Sequence, residues 1–316
     1  IHFRTGNNPA AIEHLERALA HFGEHIPATR PGLFLKILKE VAVQIGHTLR
    51  DRLRLPKFKR SFDPRLAEVS SIYHKISYAW YFINHERTLN AHLRQLNASD
   101  ALPDCNELAQ SYSDHGIVCG TIPVFGRALR YAQRGLQMRE RLADLWGIGQ
   151  SSGFLGVVHY YRGEFDLAIK NLKRSIELLE GLGDQWEIEA SWSHLYFTYR
   201  MTGEFDAGLD ACGTLLRLSQ EIRDLKFQGV AWSGFAKLFT FRGQFEKALD
   251  CVRRSLEFEV DNQTKVTSLC VRGQVLHKKG DLRGAFQAFE QCLAVIEDNK
   301  LLNDYVSESY VAYAEA

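Results

Sequence analysis

Hydrophobic positions recur at helical spacing along almost the whole chain. Ile12, Leu15, Leu19 and Phe22 fall three or four residues apart, the period of a helix with one buried face. Pro27 and the Pro31-Gly32 pair are expected to break that helix. A second helical run is predicted from Leu33 to Leu53, where Leu35, Ile37, Leu38, Val41, Val43, Ile45 and Leu49 are apolar. Asp63-Pro64 reads as a helix start, a cap residue followed by proline in the first turn. Beyond it the pattern also repeats on a larger scale. Gly163-Glu-Phe-Asp-Leu-Ala-Ile169 returns as Gly203-Glu-Phe-Asp-Ala-Gly-Leu209 and Gly243-Gln-Phe-Glu-Lys-Ala-Leu249, each copy 40 residues after the last.

The register extends in both directions. The apolar residue closing each phrase defines a ladder of Ile12, Leu49, Leu89, Leu129, Ile169, Leu209, Leu249 and Phe286, with gaps of 37 or 40. A second ruler agrees: Asp104, Asp144, Asp184 and Asp224 are 40 apart, and Asp261 follows 37 later. Each Asp precedes an apolar-periodic run, where a carboxylate accepts hydrogen bonds from the open N–H groups of a helix start. A fixed period of this size is the mark of stacked units. Each unit reads as helix, tight turn, helix. One first helix is expected from Trp186 to about Arg200, and its second helix from Phe205 to Ile222. Gly163, Gly203, Gly243 and Gly280 are expected at positive φ in the turns. Ala128, Ala168, Ala248 and Ala285, with Gly208 in one unit, keep one position of the second helix small, so that helices can approach closely. Leu301 to Ala316 reads as one further first helix, with Leu302, Val306, Tyr310, Ala312 and Tyr313 on one stripe. The chain is therefore expected to begin on a second helix and end on a first one, like a segment of a longer protein.

The first helices also share residue types. Counting back from Gly203 reaches Trp192, Leu195 and Tyr199; from Gly243, Trp232, Phe235, Ala236 and Phe239; from Gly163, Leu155 and Gly156. A large residue, a Leu-small pair and an aromatic before a turn glycine resemble the tetratricopeptide repeat. The resemblance covers about Asp104 to Cys292 and is weaker from Asp63 to Ala98. The period is 40 instead of the usual ~34, and the proline that closes the second helix is absent. Longer repeats with Gly183-Asp184 between units, and the segment Thr88-Leu-Asn-Ala-His-Leu-Arg-Gln-Leu96, are similar to the helical arms of bacterial signal-transduction ATPases and MalT-type regulators. The resemblance implies an all-α, right-handed superhelical solenoid of antiparallel helix pairs, about seven units long. Residues 1–62 form a helical part with degenerate repeats and a basic loop, continuous with the repeats of 63–316. It implies a protein–protein interaction scaffold that binds a peptide or partner domain in a concave groove lined by first helices. The other reading is a small-ligand sensor or regulatory arm of a larger signal-transduction ATPase, kinase or cyclase. No catalytic residue carries over.

Placed by that register, the groove residues are Gln110, Ser113, Gln150, Gly153, Tyr160, Ser193, Phe197, Arg200, Ser233, Lys237, Cys270, Gln274 and His277. Ser113, Gly153, Ser193, Ser233 and Cys270 form a row that is small throughout, leaving room for a peptide or helix. Arg200, Lys237 and His277 supply one basic side chain per successive repeat, suited to an acidic partner through charge-assisted bonds.

Composition narrows the classes. A formal net charge of +1 gives no global drive toward nucleic acid or an anionic membrane. No apolar run approaches the roughly 20 residues of a membrane span. Six cysteines without a C-x-x-C point to free, mostly buried thiols in a reduced, cytoplasmic chain. Asn97-Ala-Ser99 and Asn262-Gln-Thr264 match the glycosylation pattern, which carries little weight without a secretion signal. The cluster Arg50 to Arg60 holds six basic residues and one acid, and is expected to be a solvated helix end and loop. Gly147-Ile-Gly-Gln-Ser-Ser-Gly153 lacks the Lys-Ser/Thr of a phosphate loop, so its glycines are expected to serve helix packing. His21-Phe-Gly-Glu-His25 has metal-ligand spacing but sits at a fraying helix end with no third ligand. His159 falls in a core slot, and Glu187 with Glu189 on a solvated face. No enzyme activity, metal or cofactor is expected.

Overall fold

The computed structural model describes residues 8–53, 61–81, 83–258, 262–301 and 304–316, and all regular structure among them is helical. The helices α1 (Asn8–His21), α2 (Arg30–Arg52), α3 (Pro64–Tyr81), α4 (His85–Ser99), α5 (Asn106–Thr121), α6 (Phe125–Arg141) and α7 (Leu145–Tyr161) belong to one compact unit that ends at Arg162. The helices α8 (Phe165–Glu180), α9 (Gln185–Thr202), α10 (Phe205–Ile222), α11 (Leu225–Phe241), α12 (Phe245–Leu256), α13 (Asn262–Lys278), α14 (Leu282–Asn299) and α15 (Asp304–Glu315) belong to a second, Gly163–Ala316. Most of the basic stretch Arg50–Arg60, together with Asp261, lies outside the described residues.

Local chemistry sets the helix ends. Gly163, Gly203, Gly243 and Gly280 have φ of 75°, 80°, 70° and 81°, the left-handed turn that glycine adopts without steric penalty. Asp144, Asp184 and Asp224 are N-caps, their carboxylates accepting from the backbone N–H of Gly147 (3.0 Å), Glu187 (3.4 Å) and Phe227 (3.0 Å). Asp104 does not follow this pattern. Cys105 takes the cap position of α5 without a side-chain bond, and Asp104 pairs instead with Arg141 at 2.8 Å. Helix α2 begins at Arg30, so Pro31 and Gly32 lie in its first turn and do not break a helix. Proline is tolerated there because its missing N–H would have no partner in any case.

In the first unit α3 pairs with α4 and α5 with α6, while α7 packs on both α5 and α6. Helix α1 stacks on α3 and α2 on α4. Thus α1 takes the side of a first helix, contrary to the register expectation. Ile12 and Leu19 of α1 pack into one core with Tyr73 and Ile76 of α3. In the second unit α9 pairs with α10, α11 with α12 and α13 with α14; α8 lies against α9, and α15 packs on α13 and α14.

Small residues permit these contacts. Ala128, Ala168, Ala248 and Ala285 are fully buried. A Cβ on Gly208 would lie 3.2 Å from Leu238 Cδ1. A Cβ on Gly135 would lie 2.9 Å from the backbone N of Ser113 and 3.0 Å from the carbonyl of Ala109, so α5 and α6 approach to backbone contact. Interiors packed this closely leave no room for an added methyl group without movement.

Candidate binding site

A candidate site geometry lies in the second unit. Lys237, Thr240 and Phe241 share one face of α11 by their three- and four-residue spacing, as Gln274, His277 and Lys278 do on α13. With Phe289 of α14 and Ala312 and Glu315 of α15, they line a pocket of about 540 Å³. The volume falls in the range that holds small ligands or a few residues of peptide. Three of the residues expected from sequence, Lys237, Gln274 and His277, meet there. Thr240, Phe241, Lys278 and Phe289 complete the wall.

The basic trio is divided. Lys237 is only 3% exposed, donates to Gln274 Oε1 at 2.9 Å and is ion-paired with Glu308 of α15. Arg200 Nη1 reaches the same carboxylate at 3.3 Å. Burial by itself would raise the Glu308 pKa, but the two cations hold it below the ordinary carboxylate value. Arg200 and Lys237 are therefore already engaged by an acid of the chain, while His277 lines the pocket.

The row of small residues is placed in helix packing. Ser113 bonds to Ser151 Oγ at 2.9 Å and lies against Gly135 of α6. Ser193 and Ser233 turn their hydroxyls onto their own helices, at Ala190 O (2.7 Å) and Val230 O (2.8 Å). Cys270 packs with Val266, Leu269 and Cys292 in a hydrophobic cluster. Gln150 and Gly153 are buried in α7, and Gln110 bridges Asp114 (2.9 Å) and Arg139 (2.8 Å). Tyr160 lies beside Tyr161, and Phe197 beside Tyr196 and His194. Gln110, Ser113, Gln150, Gly153 and Tyr160 belong to the first unit, and the other expected site residues to the second.

The first unit holds a buried polar network that periodicity did not reveal. Arg127 Nε donates to His115 Nε2 at 2.7 Å, so the proton of neutral His115 sits on Nδ1 and is directed at His92 Nε2, 2.9 Å away. Burial pushes His92 down to about 4 and His115 well below its ordinary value. Asp114 accepts from Gln95 (2.7 Å) and Gln110 (2.9 Å), and His74 Nδ1 lies 2.8 Å from its carboxylate. Burial pushes its pKa up, but His74 and the two amides outweigh that and hold it low. The available sequence signal was in α4, where Asn90, His92, Gln95, Asn97 and Ser99 are polar around much of the helix and all are buried.

Other expectations resolve at particular atoms. Glu187 and Glu189 are buried, not solvated. Glu189 is fully enclosed, and neither carboxylate oxygen has a hydrogen-bond partner. Burial, aided by the charge of Asp224, raises its pKa to about 8. A Cβ on Gly147 would collide with Arg139, as its packing role requires. Asn97 is buried and donates to Glu40 Oε2 at 2.6 Å, which bars glycosylation in the folded chain. Cys105 is partly buried and the other five cysteines are buried; all six thiols are free. His21 closes α1. Among the described residues no group of three His, Cys, Asp or Glu side chains could hold a metal, and no helix is long and apolar enough to cross a membrane.

Comparison with known proteins places this geometry in a wider setting. A tetratricopeptide repeat is matched at residues 266–299, the α13–α14 hairpin that forms part of the pocket. Comparison with curated protein sequences gives no match. Among solved structures, NprR in complex with its cognate peptide NprX aligns with a TM-score of 0.61 at 12% identity, over 90% of this chain and 84% of that one. A Rap protein complexed with competence and sporulation factor aligns at 0.53 and 13%, over 74% of this chain and 65% of that one. PilF of Pseudomonas aeruginosa aligns at 0.52 and 13%, over 79% and 97%. At such identities the likeness is one of fold. The repeated hairpins, their turn glycines, the matched repeat and these alignments together show that the chain has a tetratricopeptide-like helical repeat fold.

Proposed function

We propose that the chain is an interaction scaffold whose second unit seats a peptide or partner segment bearing an acidic group. One observation carries this reading: the α11–α13–α15 pocket, where His277 and Lys278 stand beside Phe241 and Phe289. Aromatic walls supply apolar contact, Lys278 supplies a charge-assisted bond to a carboxylate, and His277 supplies a ring N–H donor. The unit already seats one carboxylate next to this pocket, since Glu308 lies between Lys237 and Arg200. The peptide bound by NprR and the factor bound by the Rap protein support the reading by analogy of fold.

The test is binding of a fluorescent library of Asp/Glu-containing peptides, measured by polarisation on wild type and on His277→Glu/Lys278→Glu. These two positions leave the Glu308 ion pairs intact, which reversal of Arg200 and Lys237 would not. The expected result is saturable binding to wild type that weakens ~10-fold or more in the variant, in line with loss of one charge-assisted and one hydrogen-bonded contact and the gain of two repelling carboxylates. Equal binding by the two proteins, or no binding by wild type, rejects the proposal. The pocket's volume also suits a small anionic ligand, as a sensor arm would require. Saturable binding of a small carboxylate in place of peptides would favour that reading.

A further inference from the structure

Helix α2 carries its apolar side outward. Phe34, Leu38, Val41, Ile45 and Leu49 recur at spacings of four, three, four and four, and Leu35 and Leu53 widen the stripe. Each of these seven side chains is between 36% and 68% exposed. The stripe runs for about 28 Å at the helical rise. Its exposed apolar area is several hundred Å², at or beyond the roughly 300–600 Å² of the largest patch on an ordinary monomer.

The reason for the inversion is on the other side of the helix. Glu40, Gln44 and His47 face the polar helix α4, through Glu40–Asn97 (2.6 Å), Gln44–Asn97 (2.5 Å) and His47–Asp100 (2.8 Å). That network, together with Leu33 in the core of the first unit and Ile37 packed against it, holds α2 in place with its longer hydrophobic stripe turned out.

We infer that this face is a docking surface for an anionic lipid bilayer. Among the described side chains of α2, the charges flanking the stripe have one sign. Lys39 and Arg52 are exposed and Arg50 is half-buried, whereas the sole carboxylate among the described side chains of α2, Glu40, is buried. An apolar face with a basic rim is the pattern of a helix lying in the plane of an anionic interface. A second copy of the chain fits less well, because a two-fold pairing of α2 would set two basic rims against each other. A specific protein helix also fits less well. Among the described side chains Arg52 is the one polar residue in line with the stripe, and it sits at its C-terminal end beside the basic rim, so little on the stripe would set a partner's register, and a lipid surface requires none.

The experiment is vesicle co-sedimentation of the full chain at low salt. Vesicles of phosphatidylcholine with one third phosphatidylglycerol are compared with phosphatidylcholine alone. The expected result is binding to the anionic vesicles at least ~10-fold stronger than to the neutral ones. Leu38→Asp/Ile45→Asp should abolish it, and Lys39→Glu/Arg52→Glu should reduce it toward the neutral-vesicle level. All four positions are exposed, and circular dichroism with thermal melting checks that each variant keeps its fold. Failure to bind anionic vesicles overturns the proposal, as does binding unchanged in Leu38→Asp/Ile45→Asp. A dimer in sedimentation velocity, lost in that same variant and without vesicle binding, would assign the face to self-association and also overturn it.

Discussion

Replacing Glu189 by Gln should stabilise the protein, and by an amount that grows with pH. Glu189 is enclosed at the start of α9, with both oxygens unbonded, near the Asp224 carboxylate and only partly balanced by Lys226. Its pKa in the folded chain is about 8, against an ordinary value of 4.5. A raised acid pKa means that the unfolded chain gives up this proton first. The folded state is therefore favoured most below pH 4.5 and loses stability as pH rises toward 8. At ~1.36 kcal/mol per unit, the loss between pH 5 and pH 8 is roughly 3 kcal/mol. Gln has the same shape and no charge to ionise. The stability difference between variant and wild type should be under ~1 kcal/mol at pH 5 and reach roughly 3–4 kcal/mol in favour of Gln at pH 8. Urea unfolding at pH 5, 6.5 and 8, followed by fluorescence of Trp186, Trp192 and Trp232 among the chain's tryptophans, measures it. Other titrating groups cancel when the variant is subtracted from wild type. A difference independent of pH, or a variant less stable at pH 8, would refute the burial argument.

Three further outcomes are expected. His92, at about 4, is the opposite case: a depressed base withdraws stability as pH falls from 6.5 toward 4, by about 3 kcal/mol. His92→Phe should flatten that part of the pH–stability curve, and the His92 ring proton resonances should show no titration above pH 5. Gly135→Ala should destabilise the first unit by ~1–3 kcal/mol, because a Cβ there meets backbone atoms of Ser113 and Ala109; Ala248→Trp should do the same or more at α12. An unchanged melting temperature in either would contradict the helix packing described. Glu308→Ala should lower stability by roughly 2–3 kcal/mol by leaving nearly buried Lys237 without its counter-charge, and adding Lys237→Met should recover most of it, a cycle readable by thermal melting.

Features set by neighbours a few residues away were legible in the sequence. The turn glycines need positive φ whatever the helices pack against, and an Asp before an apolar run bonds to N–H groups two or three residues on. That is why Gly203 and Asp184 appear as expected. Asp104 failed where Arg141, 37 residues away, offered a competing partner at 2.8 Å. Part of the pocket was legible as well, because Lys237, Gln274 and His277 lie on faces that the repeat register defines.

By itself, then, the sequence determined the hairpin unit, its turns and the small positions where helices touch. These follow from contacts within one repeat or with the next one along the chain. Only the tertiary structure decided which charges meet. Glu308 reaches Arg200 across 108 residues, so no local pattern marks two of the three expected cations as already paired. It also decided which faces stay open. The buried Glu189 and the exposed stripe of α2 both read conventionally along the chain, as a solvated acid and an ordinary amphipathic helix. Their environments are inverted because packing against α4 turned α2 by its polar side, and because α9 lies between α8 and α11. Burial is a property of what lies against a helix face, and periodicity records only which residues share that face.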